Sequence, residues 1–390
     1  MITVSEARDR LFSLISPLGT ENVPLTEANA RILAQPVAAR RLQPPFAASS
    51  MDGYAVKAAE VEPDAMFQVI GEAAAGHGFD GTVGPGQAVR IFTGAPVPNG
   101  ADFVVVQEDM TQKGTLATIT GRPGDKDNIR PAGVDFEPGQ TLSAPRRLRP
   151  ADIALLAAMN VAEVPVARKP VVALISTGDE LVMPGEEPGP DQIIASNTFG
   201  LKAMLEEAGA AARILPIARD TEASLHTAFD LARGADLIVT VGGASVGDHD
   251  LVAPVAEQLG MERAFYKIAM RPGKPLMAGR LGDAAMVGLP GNPVSALVCG
   301  ALFLVPMVRA MLGLGTGQPP LRQARLAGDI GPNGPREHYM RALVENGEIR
   351  AFDNQDSSLL RVLSEANALL VRPPHDPARS AGDMLDFLPV

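Results

Sequence analysis

Behind Thr3 and Glu6, whose spacing is that of a capping box, Val4, Ala7, Leu11, Leu14 and Ile15 recur at helical intervals, so the chain opens with an amphipathic helix. The pattern predicts a second helix over residues 26–32. From about Gln43 to Gly139 the texture changes. Short runs of β-forming residues at 67–70, 88–92, 103–107 and 116–120 alternate with clusters of Gly, Pro and Asn, the signature of a mostly β domain. Helical spacing returns at 150–159, with Ile153, Leu155, Leu156 and Met159 apolar, so the β block reads as an insertion into a discontinuous first domain.

Beyond Lys169 apolar runs and amphipathic stretches alternate: strand 171–176, helix 198–208, strand 213–217, helix 221–232, strand 237–241, a helix near 251–259, a strand ending near Ile268, strand 285–288, and an apolar helix after Pro293. Repeated βα units predict a parallel sheet with helices on both faces, a doubly wound α/β domain. Residues 294–308 are nearly all apolar, but the run contains Pro306 and falls short of the roughly 20 residues that a membrane span needs, which predicts a buried core helix. After the turn-rich residues 313–320 a small β-rich unit follows. The expected organisation is a helical or linker domain over 1–43 and 140–168, an inserted β domain over 44–139, the α/β domain over 169–316 and a C-terminal β domain over 317–390.

Composition narrows the function. With 46% hydrophobic and 20% charged residues, 390 residues suffice for several ordinary globular cores. A formal net charge of −11 without a long basic run argues against nucleic acid or an anionic membrane as partner, so an anionic small ligand would need local arginines, lysines or backbone N–H groups. The single cysteine, Cys299, and an N-terminus without a signal-type apolar stretch predict a cytoplasmic protein.

In an open α/β sheet, ligands bind beyond the carboxyl ends of the strands. Thr177, Gly178, Asp179 and Glu180 follow the first strand, Asp220 the second, and Gly242, Gly243, Ser245, Gly247, Asp248 and Asp250 the third; Leu289, Pro290, Gly291, Asn292 and Pro293 follow the last. Asn292 before Pro293 is a favourable helix start with N–H groups to offer an anion. The run GGASVG leaves a phosphate nest and an ordinary tight turn both open. Glu180, Asp220 and Asp250 have the chemistry to hold Mg²⁺ or orient a nucleophile; singly each reads better as a cap or solvated side chain, but they share one sheet edge. Lys267, Arg271 and Lys274 surround a Pro-Gly turn and form a positive cluster. Asp52, Tyr54 and Thr93 lie in tight loops of the β block that read as turns. His249 reads as a polar loop residue, and Arg146, Arg147 and Arg149 as structural or solvated. HExxH and CxxC are absent from the sequence.

Taken in order, SMDGYA, TGAPVP, TGDEL, GGASVGDHD, KIAMRPGKP and GLPGNPVSAL resemble the motif series of molybdopterin molybdenumtransferases, the MoeA family that includes the gephyrin E domain. The resemblance covers essentially the whole chain. It implies a homodimer of four-domain subunits whose central domain is similar to molybdopterin adenylyltransferase, with the active site between that domain of one subunit and the inserted β domain of the other. It implies that adenylylated molybdopterin and molybdate are converted, with Mg²⁺, to AMP and molybdenum cofactor. Molybdopterin adenylyltransferase and molybdoenzyme apoproteins are the further partners it suggests.

Carried over by position, Asp52, Thr93 and Asp135 match functional residues of the β domain, and Glu180, Asp220, Asp250 and Lys267 those of the α/β domain. Arg271 stands where the family has a second lysine, and GVD at 133–135 replaces the commoner Gly-Glu-Asp. Arg336 and Arg341, in GPREHYMR, fall where the family carries a functional arginine; Arg336 is preferred. Gly242, Gly243, Ser245, Gly247, Asp248, Lys274, Pro290, Gly291, Asn292 and Arg336 are the expected substrate-binding set. Glu180, Asp220 and Asp250 are the expected metal ligands. Three alternatives stay open on sequence: an adenylyltransferase of the neighbouring step, a non-catalytic scaffold of the same fold, and a tungsten-selective relative.

Overall fold

The structure, a computed structural model, describes residues 1–243, 251–317 and 320–390. The chain divides into two compact units, Asn22–Val166 and the combination of Met1–Glu21 with Ala167–Val390.

In the first unit the helix Pro150–Ala158 packs on a four-stranded sheet ordered Thr20–Pro24, Glu163–Ala167, Ile32–Leu33, Arg146–Arg147. Leu33, Leu148, Leu156, Val164 and Val166 form its core. The helix expected over 26–32 does not form. Leu25–Glu27 makes one 3₁₀ turn, Ala30 takes a left-handed φ of 62°, and Ile32–Leu33 is drawn into the sheet beside Arg146–Arg147. Burial of Ile32 and Leu33 between strands outweighs a weak local helical preference. The basic knot is structural: Arg146 and Arg149 both pair with the buried Asp152 of the following helix, at 3.2 and 3.4 Å. Burial opposes the ionised form of Asp152, yet the Arg149 N–H and the two guanidinium groups hold its pKa below the ordinary value.

The same unit contains a six-stranded sheet ordered Phe103–Val106, Gly53–Val56, Gln87–Ile91, Met66–Ala73, Leu116–Ile119, Met110–Lys113. Alternate residues fill two cores, Tyr54, Val56, Phe67 and Val105 on one face and Ala55, Ala73, Val89 and Val104 on the other. Both faces are covered, so the period-2 signal is muted in the sequence.

The second unit begins with helix Val4–Ser13, capped by Thr3 and Glu6 reciprocally. Its α/β domain runs β1 (Val171–Ser176), α1 (Asn197–Glu207), β2 (Ala211–Ile214), α2 (Glu222–Leu231), β3 (Leu237–Val241), α3 (Val252–Gln258), β4 (Glu262–Lys267), β5 (Pro275–Leu281), β6 (Ala284–Leu289) and a helical stretch, α4 (Pro293–Met311). The strand order is β2-β1-β3-β6-β5-β4. The first four strands are parallel, as the alternation predicts. The sheet is nonetheless mixed. β5, absent from the sequence reading, pairs antiparallel with both β6 and β4. Gly279, Gly282 and Asp283 break the apolar run there, and the two-residue turn between β5 and β6 makes a hairpin where a βα crossover was expected.

α4 is long and apolar enough to cross a membrane by length and composition, yet 78% of its most apolar window is buried within the protein. Pro306 supplies no N–H to the ladder, and the five residues Gly300–Leu304 before it widen into a π turn. C-terminally, Ala368–Arg372 pairs with both Met384–Pro389 and Glu337–Glu345, closing a barrel with Arg322–Leu326 and Glu348–Ala351 around Leu326, Ile349, Leu370 and Phe387.

Candidate active site

A cavity of about 560 Å³ opens at the carboxyl ends of β1, β3 and β6. Glu180, Asp220, Gly242, Gly243, Pro290, Gly291 and Asn292 reach its wall, with Leu181, Ile193 and Ile194 as an apolar side. The parallel strands bring residues together that lie more than a hundred positions apart. Gly242 and Gly243 have φ of 100° and 58°, and a Cβ on Gly242 would press on the Thr177 carbonyl oxygen, so the backbone itself lines the cavity there. Gly178, at φ 144°, lets the Glu180 carboxylate fold back over its Cα. Asp179 and Asp220 clasp each other, Asp220 N–H donating to Asp179 Oδ1 at 3.1 Å and Asp179 N–H to Asp220 Oδ2 at 3.4 Å. Arg219 Nη1 donates to the Gly178, Asp179 and Leu181 carbonyls at 3.3, 3.0 and 2.9 Å, fixing the loop around Glu180.

Asn292 and Pro293 do start a helix, but the Asn292 side chain makes no cap bond, and the Val294 N–H is taken by the Ser357 carbonyl at 3.0 Å. The helix start therefore offers fewer N–H groups than the sequence suggests. Ser245, Gly247, Asp248, His249 and Asp250 lie outside the described residues.

The basic cluster follows β4. Lys267 faces Pro275 across the strand pair, and Pro275 lines the cavity; the Lys267 ammonium sits 5.5 Å from the Tyr266 ring centroid. The turn closes with Ile268 N–H donating to the Lys274 carbonyl at 3.0 Å, which leaves Arg271 and Lys274 exposed. Met270–Arg271 then pairs parallel with Glu337 and His338, and Arg336 Nη1 donates to the Met270 carbonyl at 3.4 Å. Arg271 and Arg336 thus meet at the rim of the barrel. Neither is ion-paired among the described residues. His338 lies between Arg271 and Arg372 on neighbouring strands, and its buried Nε2 has no hydrogen-bond partner among the described residues. Burial, followed by the field of Arg271, Arg336, Arg372 and Arg341, pushes its pKa down to about 4. Arg341 is buried and turned away, its donors spent on Gln355 and on the Asn354 and Asp356 carbonyls.

In the unit Asn22–Val166, Asp52 Oδ1 accepts from both Thr93 N–H, at 2.7 Å, and Thr93 Oγ1, at 2.8 Å. These two bonds, backbone first, hold the Asp52 carboxyl below its ordinary pKa. Oδ2 accepts from no described residue and remains free for a ligand. Gly53 is obligatory, because a Cβ would overlap the Val105 carbonyl of the adjacent strand. Asp135 is exposed on a loop whose amide donates to the Gln43 carbonyl at 3.0 Å, with no bond to Asp52 or Thr93.

Family models for the MoeA N-terminal region (domain I and II), a probable molybdopterin binding domain and the MoeA C-terminal region (domain IV) match residues 2–160, 173–310 and 323–390. The chain belongs to the MoeA family. It is 35% identical to a molybdopterin molybdenumtransferase of Nostoc sp., over 96% of this chain and 90% of that one. It is 34% identical to one of Haemophilus influenzae, over 100% and 98%. Among solved structures, a molybdopterin biosynthesis moea protein from Pyrococcus horikosii matches with a TM-score of 0.85 at 30% identity, covering 100% of this chain and 99% of that one.

Of the residues singled out from the MoeA motifs, the structure gathers Glu180, Asp220, Gly242, Gly243, Pro290, Gly291 and Asn292 at one cavity, and Arg271 with Arg336 at another place in the same unit. Sequence reasoning missed Asn197, whose Nδ2 donates to the Gly291 carbonyl at 2.7 Å across the cavity, and also missed Arg219 and His338. A polar residue opening a helix after an apolar strand could have flagged Asn197; the other two carry no local signal.

Proposed function

We propose that this MoeA-family chain is a molybdopterin molybdenumtransferase that takes adenylylated molybdopterin and molybdate and releases AMP and molybdenum cofactor. The observation that carries the reading is the presence, in one compact unit, of a carboxylate-walled cavity at parallel strand ends and an arginine pair without an ion-pair partner among the described residues. Relatives named for that reaction, aligned over nearly their full length, support it.

The physical problem is to bring a dianionic oxyanion beside a phosphate without electrostatic rejection. Lys267, Arg271, Lys274 and Arg336 supply a local positive field in an acidic protein, and none of them forms an ion pair among the described residues. Neutral His338 beside Arg271 adds no competing charge. Glu180 and Asp220, held by Arg219 and by the Asp179 clasp, orient the phosphate end. A water oxygen bonding to the adenylate phosphorus breaks the phosphoanhydride and releases AMP directly, whereas attack by a molybdate oxygen passes the adenylyl group to molybdate and water then frees AMP. The molybdopterin phosphate leaves in both cases, and one molybdate oxygen departs as water with the two dithiol protons as two Mo–S bonds form.

The donor set fits Mg²⁺. Among the described residues no group of three or more His, Cys, Asp or Glu forms a metal cage, whereas two carboxylates on a cavity wall suit a hard cation shared with a substrate phosphate. Glu180 and Asp220 would hold it, with Asp250 the third expected ligand; when bound, the ion neutralises charge on phosphate oxygens. We further read the active form as a homodimer. Phe46, Met51 and Val134, 40%, 41% and 62% exposed around the Asp52 and Asp135 loops, support apolar cover by a second copy; sedimentation as a monomer at working concentration would remove this part.

The test is molybdate-dependent AMP release from adenylylated molybdopterin. Asp220→Ala is expected to keep the wild-type melting curve and lose AMP release by about 100-fold. Chelation should abolish activity and leave the melting temperature unchanged, with Mg²⁺ restoring turnover. A folded Asp220→Ala protein with full activity would take that carboxylate out of the reaction.

A further inference from the structure

Asp52 is anchored at its carboxylate by Thr93, but a carboxylate is only as well placed as the main chain that carries it. That main chain is held by a residue no motif pointed to. Arg90, on the strand Gln87–Ile91, lies opposite Tyr54 in the antiparallel pair with Gly53–Val56. Its guanidinium carbon sits 5.1 Å from the Tyr54 ring centroid and 4.6 Å from that of Phe92, within cation–π range of both rings. Nη1 donates to the Gly53 carbonyl at 2.9 Å and Nη2 to Gln107 Oε1 at 2.7 Å. The Gln107 N–H in turn donates to the Asp52 carbonyl at 3.0 Å. No carboxylate pairs with Arg90 among the described residues, so its directed contacts are these.

We propose that Arg90 is a positioning residue for the reaction: held against Tyr54 and Phe92, it fixes the Asp52–Gly53 main chain directly and through Gln107, so that Asp52 meets its ligand in one orientation. The inference rests on the reading that Asp52 belongs to the active site. A planar fork is needed because two acceptors, a carbonyl and an amide oxygen, are reached at once by a group that also lies against two aromatic rings. A lysine supplies the charge but neither the fork nor the stacking plane. Ring–cation contact and paired hydrogen bonds restrict the guanidinium more than either does alone, and misplacement of a reacting group by about 1 Å costs on the order of 100-fold in rate.

The experiment compares single-turnover AMP release in wild type, Arg90→Met, Arg90→Lys, Asp52→Ala and the double variant Asp52→Ala/Arg90→Met, with crystal structures of the Arg90 variants. Arg90→Met is expected to lower the rate about 10- to 100-fold with substrate affinity within about 3-fold of wild type. Arg90→Lys should recover about a tenth to a half of the loss. In the Asp52→Ala background the Arg90→Met effect should shrink below about 2-fold. In the Arg90→Met crystal the 2.8 Å bond from Thr93 Oγ1 to Asp52 Oδ1 should be broken or the Asp52 carbonyl displaced from Gln107. If Asp52→Ala is fully active, the reading of the site fails and the inference with it. If Asp52→Ala is inactive while Arg90→Met matches wild type, or if Arg90→Met leaves Asp52 in place, only the positioning role is overturned. An equal loss in both backgrounds overturns it too, as a general effect on folding.

Discussion

His338 shows how a single side chain can be set by its surroundings more than by its own chemistry. Two strands place it between Arg271 and Arg372, burial strips its hydration, and its pKa falls to about 4 from an ordinary value of 6.5. The sign of the linkage follows. The unfolded chain takes up a proton below about pH 6.5, whereas the folded site resists until about pH 4, so stability from neutral His338 is full above pH 6.5 and lost as pH falls toward 4. Over the interval from pH 7 to pH 5 this amounts to about 1–2 kcal/mol. His338→Gln is expected to lose less stability than wild type over that interval, measured by urea midpoints at the two pH values; identical losses would show that another group carries the acid sensitivity. Asp52 is shifted in the same direction by an unrelated cause, two hydrogen bonds from one threonine. Neither shift follows from flanking residues alone: Arg336 and Arg341 are near His338 in sequence, but burial, Arg271 and Arg372 reach it only in the fold, as Thr93 reaches Asp52.

At the scale of elements, the turn between β4 and β5 carries the basic cluster, and its shape depends on a helix more than twenty residues away. Gly273 has φ of 98°, and a Cβ there would overlap the Sγ of Cys299, buried in α4. Burial pushes the Cys299 thiol pKa up, which leaves it an uncharged packing group. Gly273→Ala should therefore cost about 1–3 kcal/mol of stability, from backbone strain and overpacking together. Adding Cys299→Ala should return the overpacking part only. Thermal melts of the single and double variants check this, and an unchanged melt for Gly273→Ala would mean that the turn relaxes freely. The helical reading of 26–32 failed at this same scale. Those residues carry a weak helical preference, and the strand Ile32–Leu33 exists because Arg146–Arg147 and Val166 return to cover it. The hairpin of β5 and β6 was hidden because Gly279 interrupts β5, whose central residues are buried on both faces and so show no alternation to read.

Over the whole molecule, the unit Asn22–Val166 is continuous in sequence and has three apolar cores of its own. A fragment of residues 22–166 is expected to melt cooperatively by itself, with near-ultraviolet circular dichroism of a packed protein. A fragment without a cooperative melt would show that its cores need the rest of the chain. What the sequence determined by itself is the succession of elements and their chemistry: the capped first helix, four parallel strands of the α/β domain, the acidic and glycine residues that follow them, and the ordered motifs of the MoeA family. These are local or ordered along the chain, and periodicity, turn residues and motif order report them directly. Tertiary structure alone decided which of those residues meet. Glu180, Asp220, Gly242 and Gly291 converge because parallel strands share one carboxyl edge, Arg271 joins Arg336 because a two-residue strand docks on a barrel, and Arg90 reaches the Asp52 loop across a sheet. Such encounters depend on strand order and register, which the chain specifies only through the sum of all its packing contacts and not at any position where it could be read.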